Sequence, residues 1–257
     1  MRLARFITGE NPQYGILDED SDELVAIKGD PIYGGLETTG QRVPVADVRL
    51  LSPVIPRSKV VGIGRNYAEH AAELGNEVPE EPLTFLKPNT SVIGPDDPIV
   101  LPPWTRDVHH EAELAVVISR LCKDVPVDKV DQVIFGYTAA NDLTARDRQE
   151  TDGQWTRAKG FDTSCPLGPY LALDLDVSDL AVRSRVDGEL RQDGRTSQMV
   201  RGVPELIAYV SSMFTLLPGD VILTGTPAGV GPVEEGRRVE VEVEGIGSFS
   251  NPVLRRD

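Results

Sequence analysis

The chain has 257 residues, 40% of them hydrophobic, and a formal net charge of −15 at pH 7. This length and apolar content are enough for one large domain with a core of its own and a small appendage. The acidic balance argues against nucleic acid and anionic membranes as partners, but it does not exclude a small anion where local cations reverse the field. No stretch approaches the ~18 apolar residues of a transmembrane helix. Charge and glycine interrupt the opening MRLARFITGE, unlike a signal peptide, so we expect a cytoplasmic protein.

Residues 1–55 are predicted to form a small β-rich domain. Three short runs have the composition of strands and are separated by turns that contain glycine and proline: RLARFIT, YGILDED and ELVAIKG. The two prolines of SPVIPR at 52–57 are typical of a linker. Residues 56–257 therefore form the main domain.

The C-terminal half of the main domain contains two clear local signals. VRSRVDGELRQDGR alternates polar and apolar residues on both sides of an Asp-Gly pair, which predicts a β-hairpin. VPELIAYVSSMFTL carries an apolar stripe with helical spacing, which predicts an amphipathic helix.

The segment HHEAELAVVI, residues 109–118, is predicted to be a strand with acidic residues near its start. Side chains alternate along a strand, so Glu111 and Glu113 lie on the same face. Two neighbouring carboxylates repel each other, and a divalent cation would offset that repulsion. The alternative is an ordinary solvated strand face, where most charged residues are found.

A third carboxylate follows the next predicted strand. In VIFGYTAANDLTARD, residues 133–147, Asp142 stands where an apolar run turns into a loop. Taken alone, Asp142 is more typical of a helix cap or a turn. Together with Glu111 and Glu113 it predicts an all-oxygen metal site, suited to Mg²⁺ or Mn²⁺ and also to Ca²⁺, but not to zinc.

The segment RNYAEHAAELG, residues 65–75, is predicted to form a short helix that ends at Gly75. His70 and Glu73 are three residues apart, so they share a helix face. A carboxylate beside histidine raises its pKa and fixes its tautomer, as a general base for water requires. An exposed i,i+3 pair is the competing interpretation.

Other polar residues are candidates for binding a ligand. Arg146 has the geometry to clamp a carboxylate, and Gln149 has an amide that can bond an oxygen, although loop residues of these types are commonly only surface groups. Lys159 would supply positive charge to a developing oxyanion. Lys87 is interpreted either as a surface lysine or as a charge close to the metal.

With these residues and their order, the sequence resembles the fumarylacetoacetate hydrolase family. The resemblance covers roughly residues 58–251 in six segments that come in the family's order. The segments are VGIGRNYAEHAAELG, PLTFLKPNTSVIGPDDPIVLP, HHEAELAVVI, GYTAANDLTARDRQ, AKGFDTSCPLGP and LLPGDVILTGTPAGVGP. The chain is similar to the short members, which include acylpyruvate hydrolases and 2-hydroxyhepta-2,4-diene-1,7-dioate isomerases.

The resemblance implies a fold and roles for residues. It implies an α+β, β-rich catalytic domain, a fumarylacetoacetase C-terminal-like mixed β-roll or barrel, with the small N-terminal β appendage. It implies a homodimer. By matching positions, Glu111, Glu113 and Asp142 are metal ligands, His70 and Glu73 form a catalytic dyad on a segment that closes over the site, and Lys159 is catalytic. Arg146, Gln149 and Thr226 match substrate-binding positions.

The implied activity is a divalent-metal-dependent hydrolysis. The enzyme would cleave a C–C bond in a small acylpyruvate or other 1,3-dicarbonyl 2-oxo acid through a metal-bound enolate, as in aromatic catabolism. The alternative is a decarboxylase, isomerase or tautomerase of a 2-oxo acid, of the oxaloacetate or 2-hydroxyhepta-2,4-diene-1,7-dioate type. A rival from another class is a protein that binds such a metabolite without turning it over.

Overall fold

Strands make up most of the regular structure in the computed structural model, which describes residues 1–256. The first ten strands are β1 (Arg2–Ile7), β2 (Gln13–Asp18), β3 (Glu23–Ile27), β4 (Thr38–Pro44), β5 (Arg49–Leu51), β6 (Val60–Gly64), β7 (Leu83–Lys87), β8 (Val92–Ile93), β9 (Ile99–Leu101) and β10 (Val108–His110). The others are β11 (Ala112–Ile118), β12 (Ile134–Asn141), β13 (Thr144–Ala145), β14 (Cys165–Ala172), β15 (Ala181–Val186), β16 (Glu189–Arg195), β17 (Val221–Leu223), β18 (Gly231–Pro232), β19 (Arg238–Val243) and β20 (Gly247–Arg255).

The α-helices of the described residues are short, apart from the last. They are α1 (Pro31–Gly34), α2 (Ala68–Glu73), α3 (Arg146–Thr151), α4 (Thr156–Lys159) and α5 (Val203–Met213). None of the helices in residues 1–256 has the length and apolar character needed to cross a membrane.

The strands form three sheets. The largest has twelve strands along the path β4-β3-β2-β1-β14-β12-β11-β17-β6-β7, with β5 added on β1 and β8 on β14. A five-stranded sheet has the order β16-β15-β19-β20-β9, and β13-β10-β18 form a small third sheet. The predicted β-rich α+β class is confirmed, and within residues 1–256 the sheets are open and do not close into a barrel.

The centre of the large sheet is β11, which is buried at every position. It lies between β12, which pairs with it from Ala112 to Ile118, and β17, which pairs with it from Ala115 to Val117. One face, with Leu114 and Val116, packs in a core shared with α5, and the other, with Ala115 and Val117, packs in a second core. Each such buried Leu or Val stabilises the fold by about 1.5–3 kcal/mol. This packing fixes the strand that carries Glu113.

Both local signals in the C-terminal half are confirmed. The hairpin β15–β16 turns at Asp187 and Gly188, whose φ angles of 51° and 82° belong to a two-residue turn with both φ values positive. The predicted amphipathic helix is α5, where Glu205 accepts a hydrogen bond from the Gly202 N–H at 3.0 Å and so caps the N-terminus. It ends at Met213, three residues before the end of the segment VPELIAYVSSMFTL.

The N-terminal region contributes five strands: β1, β2 and β3 lie in the three predicted runs, whereas β4 and β5 were not predicted. Strand β1 pairs with β14, with Arg2 opposite Ala172, so this region extends the large sheet. The division of the chain into domains at residues 55 and 56 stays a prediction.

Candidate active site

The antiparallel pair β11–β12 brings the three predicted acidic residues together. Ala112, at the start of β11, lies opposite Asn141, at the end of β12. Glu111, Glu113 and Asp142 therefore meet at one end of the sheet, each with an oxygen within 4.8 Å of the others. All three are buried, with 3%, 1% and 1% exposure. The interpretation of the two glutamates as a solvated strand face is therefore wrong.

Three cations pair with two of these carboxylates, Glu111 and Asp142. Lys159 Nζ lies 2.7 Å from Glu111 Oε2 and 2.6 Å from Asp142 Oδ2, and Lys87 Nζ lies 2.6 Å from Asp142 Oδ1. Arg146 Nη2 lies 2.5 Å from Glu111 Oε1. We call the three carboxylates with Lys87 and Lys159 the carboxylate cradle. Lys87 is a buried cation inside the cradle, so its interpretation as a surface lysine is wrong.

The electrostatics of the cradle leave one carboxyl group without a cation. Burial opposes ionisation of Glu111, but Lys159 and Arg146 outweigh it and hold the pKa of Glu111 well below its usual range. Burial, reinforced by Asp142, raises the pKa of Glu113 well above its usual value. Its hydrogen-bond donor is the Gly225 N–H, 2.7 Å from Oε2.

A divalent cation would remove this conflict at Glu113. Carboxylate oxygens are the ligands that Mg²⁺, Mn²⁺ and Ca²⁺ prefer, at about 2.0–2.6 Å for Mg²⁺ and Ca²⁺. A bound cation stabilises the ionised form of each ligand and so reverses the raised pKa. The buried all-oxygen donor set of Glu111, Glu113 and Asp142 fits such an ion.

The predicted dyad lies on α2. The side chain of His70 is buried, and its Nδ1 lies 3.5 Å from Glu73 Oε2, which is longer than a hydrogen bond. The Glu73 carboxylate accepts the Gly229 N–H at 3.1 and 3.2 Å. Burial, helped by Arg146 and opposed by Glu111, lowers the pKa of His70. The imidazole is therefore neutral at pH 7.

A cavity of about 280 Å³ connects the dyad with the cradle. Seven of the nine predicted site residues lie on its wall: His70, Glu111, Glu113, Arg146, Gln149, Lys159 and Thr226. The other two do not line the cavity, but Glu73 lies next to His70 and Asp142 next to Lys159. The structure thus brings together residues from 70 to 226 of the chain around one space.

The comparison with known families agrees with this geometry. The family model described as fumarylacetoacetate (FAA) hydrolase C-terminal matches residues 59–254. A second family model, described as Rv2993c-like, N-terminal, matches residues 1–53. The chain belongs to the fumarylacetoacetate hydrolase family.

Relatives within the family carry different activities in their names. A 5-carboxymethyl-2-hydroxymuconate delta-isomerase from Mycobacterium smegmatis is 50% identical, with a TM-score of 0.92 over 100% of both chains. Mitochondrial oxaloacetate decarboxylase from Dictyostelium discoideum is 44% identical over 73% of this chain and 89% of its own. Fumarylpyruvate hydrolase from Pseudomonas aeruginosa, in complex with Mn²⁺ and pyruvate, is 34% identical over 81% and 92%, with a TM-score of 0.74.

All three candidate substrate-binding residues are already engaged with protein groups, Arg146 by donating to Glu111 and Gln149. The Thr226 hydroxyl donates to the Ala112 carbonyl at 2.8 Å and accepts from Gln192 at 2.7 Å. The Thr226 hydroxyl proton is therefore not free for a ligand, so this side chain can contact a ligand in the cavity but not donate to it. Gln149 Oε1 accepts from Arg146 at 2.8 Å, which leaves the amide nitrogen as the donor for a ligand. Their roles in binding stay predictions.

Four residues around the site were not predicted from the sequence. Trp155 and Arg65 line the cavity, and Arg65 has a positive φ of 57° and no hydrogen bond or ion pair with another residue of 1–256. Asn141 accepts the Glu111 N–H at 2.9 Å, and Gln192 accepts the N–H of Ala112, at the start of β11, at 2.9 Å. The position of Asn141 beside Asp142 was a usable signal. Gln192 stands in a strand of mostly exposed residues, β16, and gave no such signal.

Proposed function

We propose that this family member is a Mg²⁺- or Mn²⁺-dependent enzyme that acts on a small 2-oxo acid, and that it hydrolyses the C–C bond of an acylpyruvate. One observation carries the proposal. The neutral, buried His70 and the three carboxylates Glu111, Glu113 and Asp142 border the same cavity or its wall. A water-activating base beside a metal site is the arrangement that such a hydrolysis needs.

The charge balance supports an anionic substrate. Three carboxylates face three cations, Lys87, Arg146 and Lys159, in a buried region. A divalent ion would add two positive charges there, and uncompensated buried charge is costly. A 2-oxo acid brings a carboxylate, and negative charge develops on its 2-oxo group during the reaction. The substrate would therefore complete the neutralisation of the site.

The divalent ion, when bound, would supply Lewis-acid stabilisation of that negative charge. Lys159 stays cationic, because Asp142 and Glu111 outweigh the effect of burial and raise its pKa. Its ammonium group adds positive charge beside the carboxylates and needs no reorganisation to do so. Arg146 and the amide nitrogen of Gln149, both on the cavity wall, would orient the substrate.

His70 would act on water. Its neutral imidazole takes a proton from a water molecule while Nδ1 faces Glu73, which stabilises the imidazolium. The water oxygen attacks the acyl carbonyl carbon, and the bond from that carbon to the adjacent methylene carbon breaks. The electron pair passes to the pyruvate fragment, and His70 returns the proton to its methylene carbon. The products are a carboxylate and pyruvate.

Decarboxylation or isomerisation of a 2-oxo acid is the second candidate. The names of the relatives from Dictyostelium discoideum and Mycobacterium smegmatis favour it. Both reactions would use the same stabilisation of negative charge by Lys159 and the metal, but neither needs attack by water. Glu73, as the partner of the water-activating His70, would then be less important for turnover.

The deciding experiment compares substrates under control of the metal. Purified protein is treated with EDTA, supplied with Mg²⁺ or Mn²⁺, and tested on acetylpyruvate, fumarylpyruvate and oxaloacetate by loss of enol absorbance and product identification. Metal-dependent release of pyruvate and an acid supports the hydrolase. Release of CO₂ from oxaloacetate with intact acylpyruvates supports the second candidate. Metal binding without turnover of any of them would point to the binding protein.

The cytoplasmic location and the homodimer remain predictions. Light scattering of the purified protein tests the homodimer, for which a mass twice that of the chain is expected. A mass equal to the 28.0 kDa of one chain would contradict it.

A further inference from the structure

Gln192 is a buried amide in an otherwise exposed strand. In β16 the side chains of Glu189, Leu190, Arg191 and Asp193 are exposed, whereas Gln192 has 0% exposure. A buried amide without hydrogen bonds costs about 1–3 kcal/mol, so its partners explain why it is there. Those partners belong to the candidate active site, although Gln192 does not line the cavity.

The amide of Gln192 is fully used. Its Oε1 accepts from the Ala112 N–H and from the Ser184 hydroxyl, both at 2.9 Å. Its Nε2 donates to Thr226 Oγ1 at 2.7 Å and to the Pro227 carbonyl at 2.8 Å. Because Thr226 in turn donates to the Ala112 carbonyl at 2.8 Å, both polar groups of Ala112 are held by this network.

The network bonds the backbone of Ala112, where one edge of β11 has no neighbouring strand. Pairing between β11 and β17 runs from Val117 to Ala115, which lies opposite Leu223. Leu223 is the last residue of β17, and the chain that follows it leaves the sheet. At Ala112 this edge of β11 therefore has no strand partner, and Gln192 takes its place. His110 Nδ1 also lies 3.2 Å from Gln192 Oε1. Ala112 lies between Glu111 and Glu113, so the hydrogen bonds that fix its backbone also fix the positions of these two glutamates.

The same amide holds the loop that reaches the other half of the site. Gly225, at the start of this loop, donates its N–H to Glu113, and Gly229, at its end, donates to Glu73. The loop packs against β16 so closely that a Cβ on Gly229 would come within 2.2 Å of the Arg191 carbonyl oxygen. Gln192 thus bonds both the strand of the cradle and the loop that contacts the dyad.

We propose that Gln192 is a positioning residue that sets the metal affinity of the cradle and couples it to the loop at Gly225–Gly229. The inference rests on the proposed metal site. It requires no contact between Gln192 and the metal or substrate. Outer residues that orient metal ligands typically change metal affinity about 10–100-fold when they are replaced.

The test is metal binding by the Gln192→Met variant of the full chain. Methionine has a similar length but forms none of the four hydrogen bonds. The dissociation constant for Mn²⁺ is measured on metal-free protein from the electron paramagnetic resonance signal of free Mn²⁺. We expect it to rise about 10–100-fold. A change of less than threefold would overturn the proposal.

The matched control is Asn251→Leu. Asn251 is also a buried amide, on β20, and its Nδ2 donates to two backbone carbonyls, Gly94 and Asp97, at 2.8 Å each. Its loss should lower the free energy of unfolding in a similar way and leave the Mn²⁺ dissociation constant within threefold. Equal weakening of Mn²⁺ binding in both variants would show a general loss of stability and overturn the proposal.

A second measurement keeps the test decisive if Gln192→Met does not fold. In the wild-type protein, Mn²⁺ is expected to slow hydrogen exchange at the Gly229 N–H and at the Gln192 side-chain amide. Protection confined to residues 111–113 would overturn the coupling. If the wild-type chain shows no saturable Mn²⁺ binding, the proposed function fails and takes the inference with it. Unchanged binding in the variant alone defeats only the role of Gln192.

Discussion

The carboxylate cradle and the segment 65–75 border the same cavity but are built differently. In the cradle, the side chain of Lys159 is 3% exposed and contacts two carboxylates at 2.6 and 2.7 Å. In segment 65–75, His70 and Glu73 are 3.5 Å apart, and the side chain of Glu73 is 34% exposed. Arg65 has no hydrogen bond or ion pair within residues 1–256.

The difference assigns distinct tasks to the two regions. Buried charges that are already oriented stabilise developing charge without reorganising, so the cradle is suited to hold a metal and an anion. Catalytic contacts are often long in a free enzyme and tighten when substrate binds, as the His70–Glu73 contact would. We therefore expect changes in the cradle to affect metal binding and stability, and changes in segment 65–75 to affect turnover and selectivity.

The largest effect is expected from Glu113→Gln. It removes the one cradle carboxylate without a cation partner, and glutamine can still accept the Gly225 N–H. Saturable Mn²⁺ binding should be lost and metal-dependent turnover should fall about a thousandfold, since several kcal/mol of charge stabilisation disappear. Calorimetric titration and steady-state rates measure both, and wild-type Mn²⁺ affinity in the variant would contradict the assignment.

Asp142→Asn provides the contrast within the cradle. It also removes a proposed ligand, but it leaves Lys87 and Lys159 without their shared partner. Removing one member of a buried ion pair costs about 3–5 kcal/mol. The free energy of unfolding, from urea titration of metal-free protein, should fall for Asp142→Asn and change much less for Glu113→Gln.

A smaller effect, of another kind, is expected from His70→Asn. Without the base, acylpyruvate hydrolysis should slow about 10²–10⁴-fold, the usual contribution of general-base catalysis. The Mn²⁺ dissociation constant should stay within threefold, because His70 bonds none of the cradle carboxylates. Rates and Mn²⁺ binding are measured on the same preparation. Equal loss of oxaloacetate decarboxylation would argue that His70 does more than activate water.

The three carboxylates of the cradle were predictable from the sequence because their geometry is mostly local. The period of two placed Glu111 and Glu113 on one face, and the antiparallel neighbour delivered Asp142. Their burial was not predictable, since charged residues are usually exposed and the three neutralising cations come from positions 87, 146 and 159.

The surroundings of the dyad and of Ala112 depend on contacts that are distant in sequence. Glu73 meets a backbone N–H 156 residues away, and Ala112 meets Gln192 80 residues away. Every residue except proline has a backbone N–H, so the residue type does not reveal which one will bond Glu73. Gln192 lies among exposed neighbours, so its burial was not predictable either. The resemblance to a family supplied the pairing of His70 with Glu73 but not the network that supports it.

Arg65→Met tests whether the unpaired cation favours substrates that carry a second carboxylate. We expect it to change the affinity for such a compound about tenfold. A charged hydrogen bond contributes about 1.5–3 kcal/mol, and partial exposure reduces this. We expect inhibition by 2-oxoglutarate to weaken tenfold and inhibition by 2-oxopentanoate, of equal length without the second carboxylate, to stay unchanged. Arg106→Met, at an exposed residue outside the cavity wall, is the charge-matched control. Equal weakening of both inhibitors would exclude this selectivity.

The smallest effect is expected from pH. Burial lowers the pKa of His70 below 6.5, so the imidazole is still mostly neutral where an exposed histidine would be half protonated. Because hydrolysis needs the neutral base, kcat/KM should fall on the acid side only below pH 6.5 and change little from there to neutrality. This limb should disappear in His70→Asn. A midpoint above pH 6.5 in the wild-type enzyme would mean that Glu73 raises the pKa of His70 more than burial lowers it, as would happen if their 3.5 Å contact closes into a hydrogen bond.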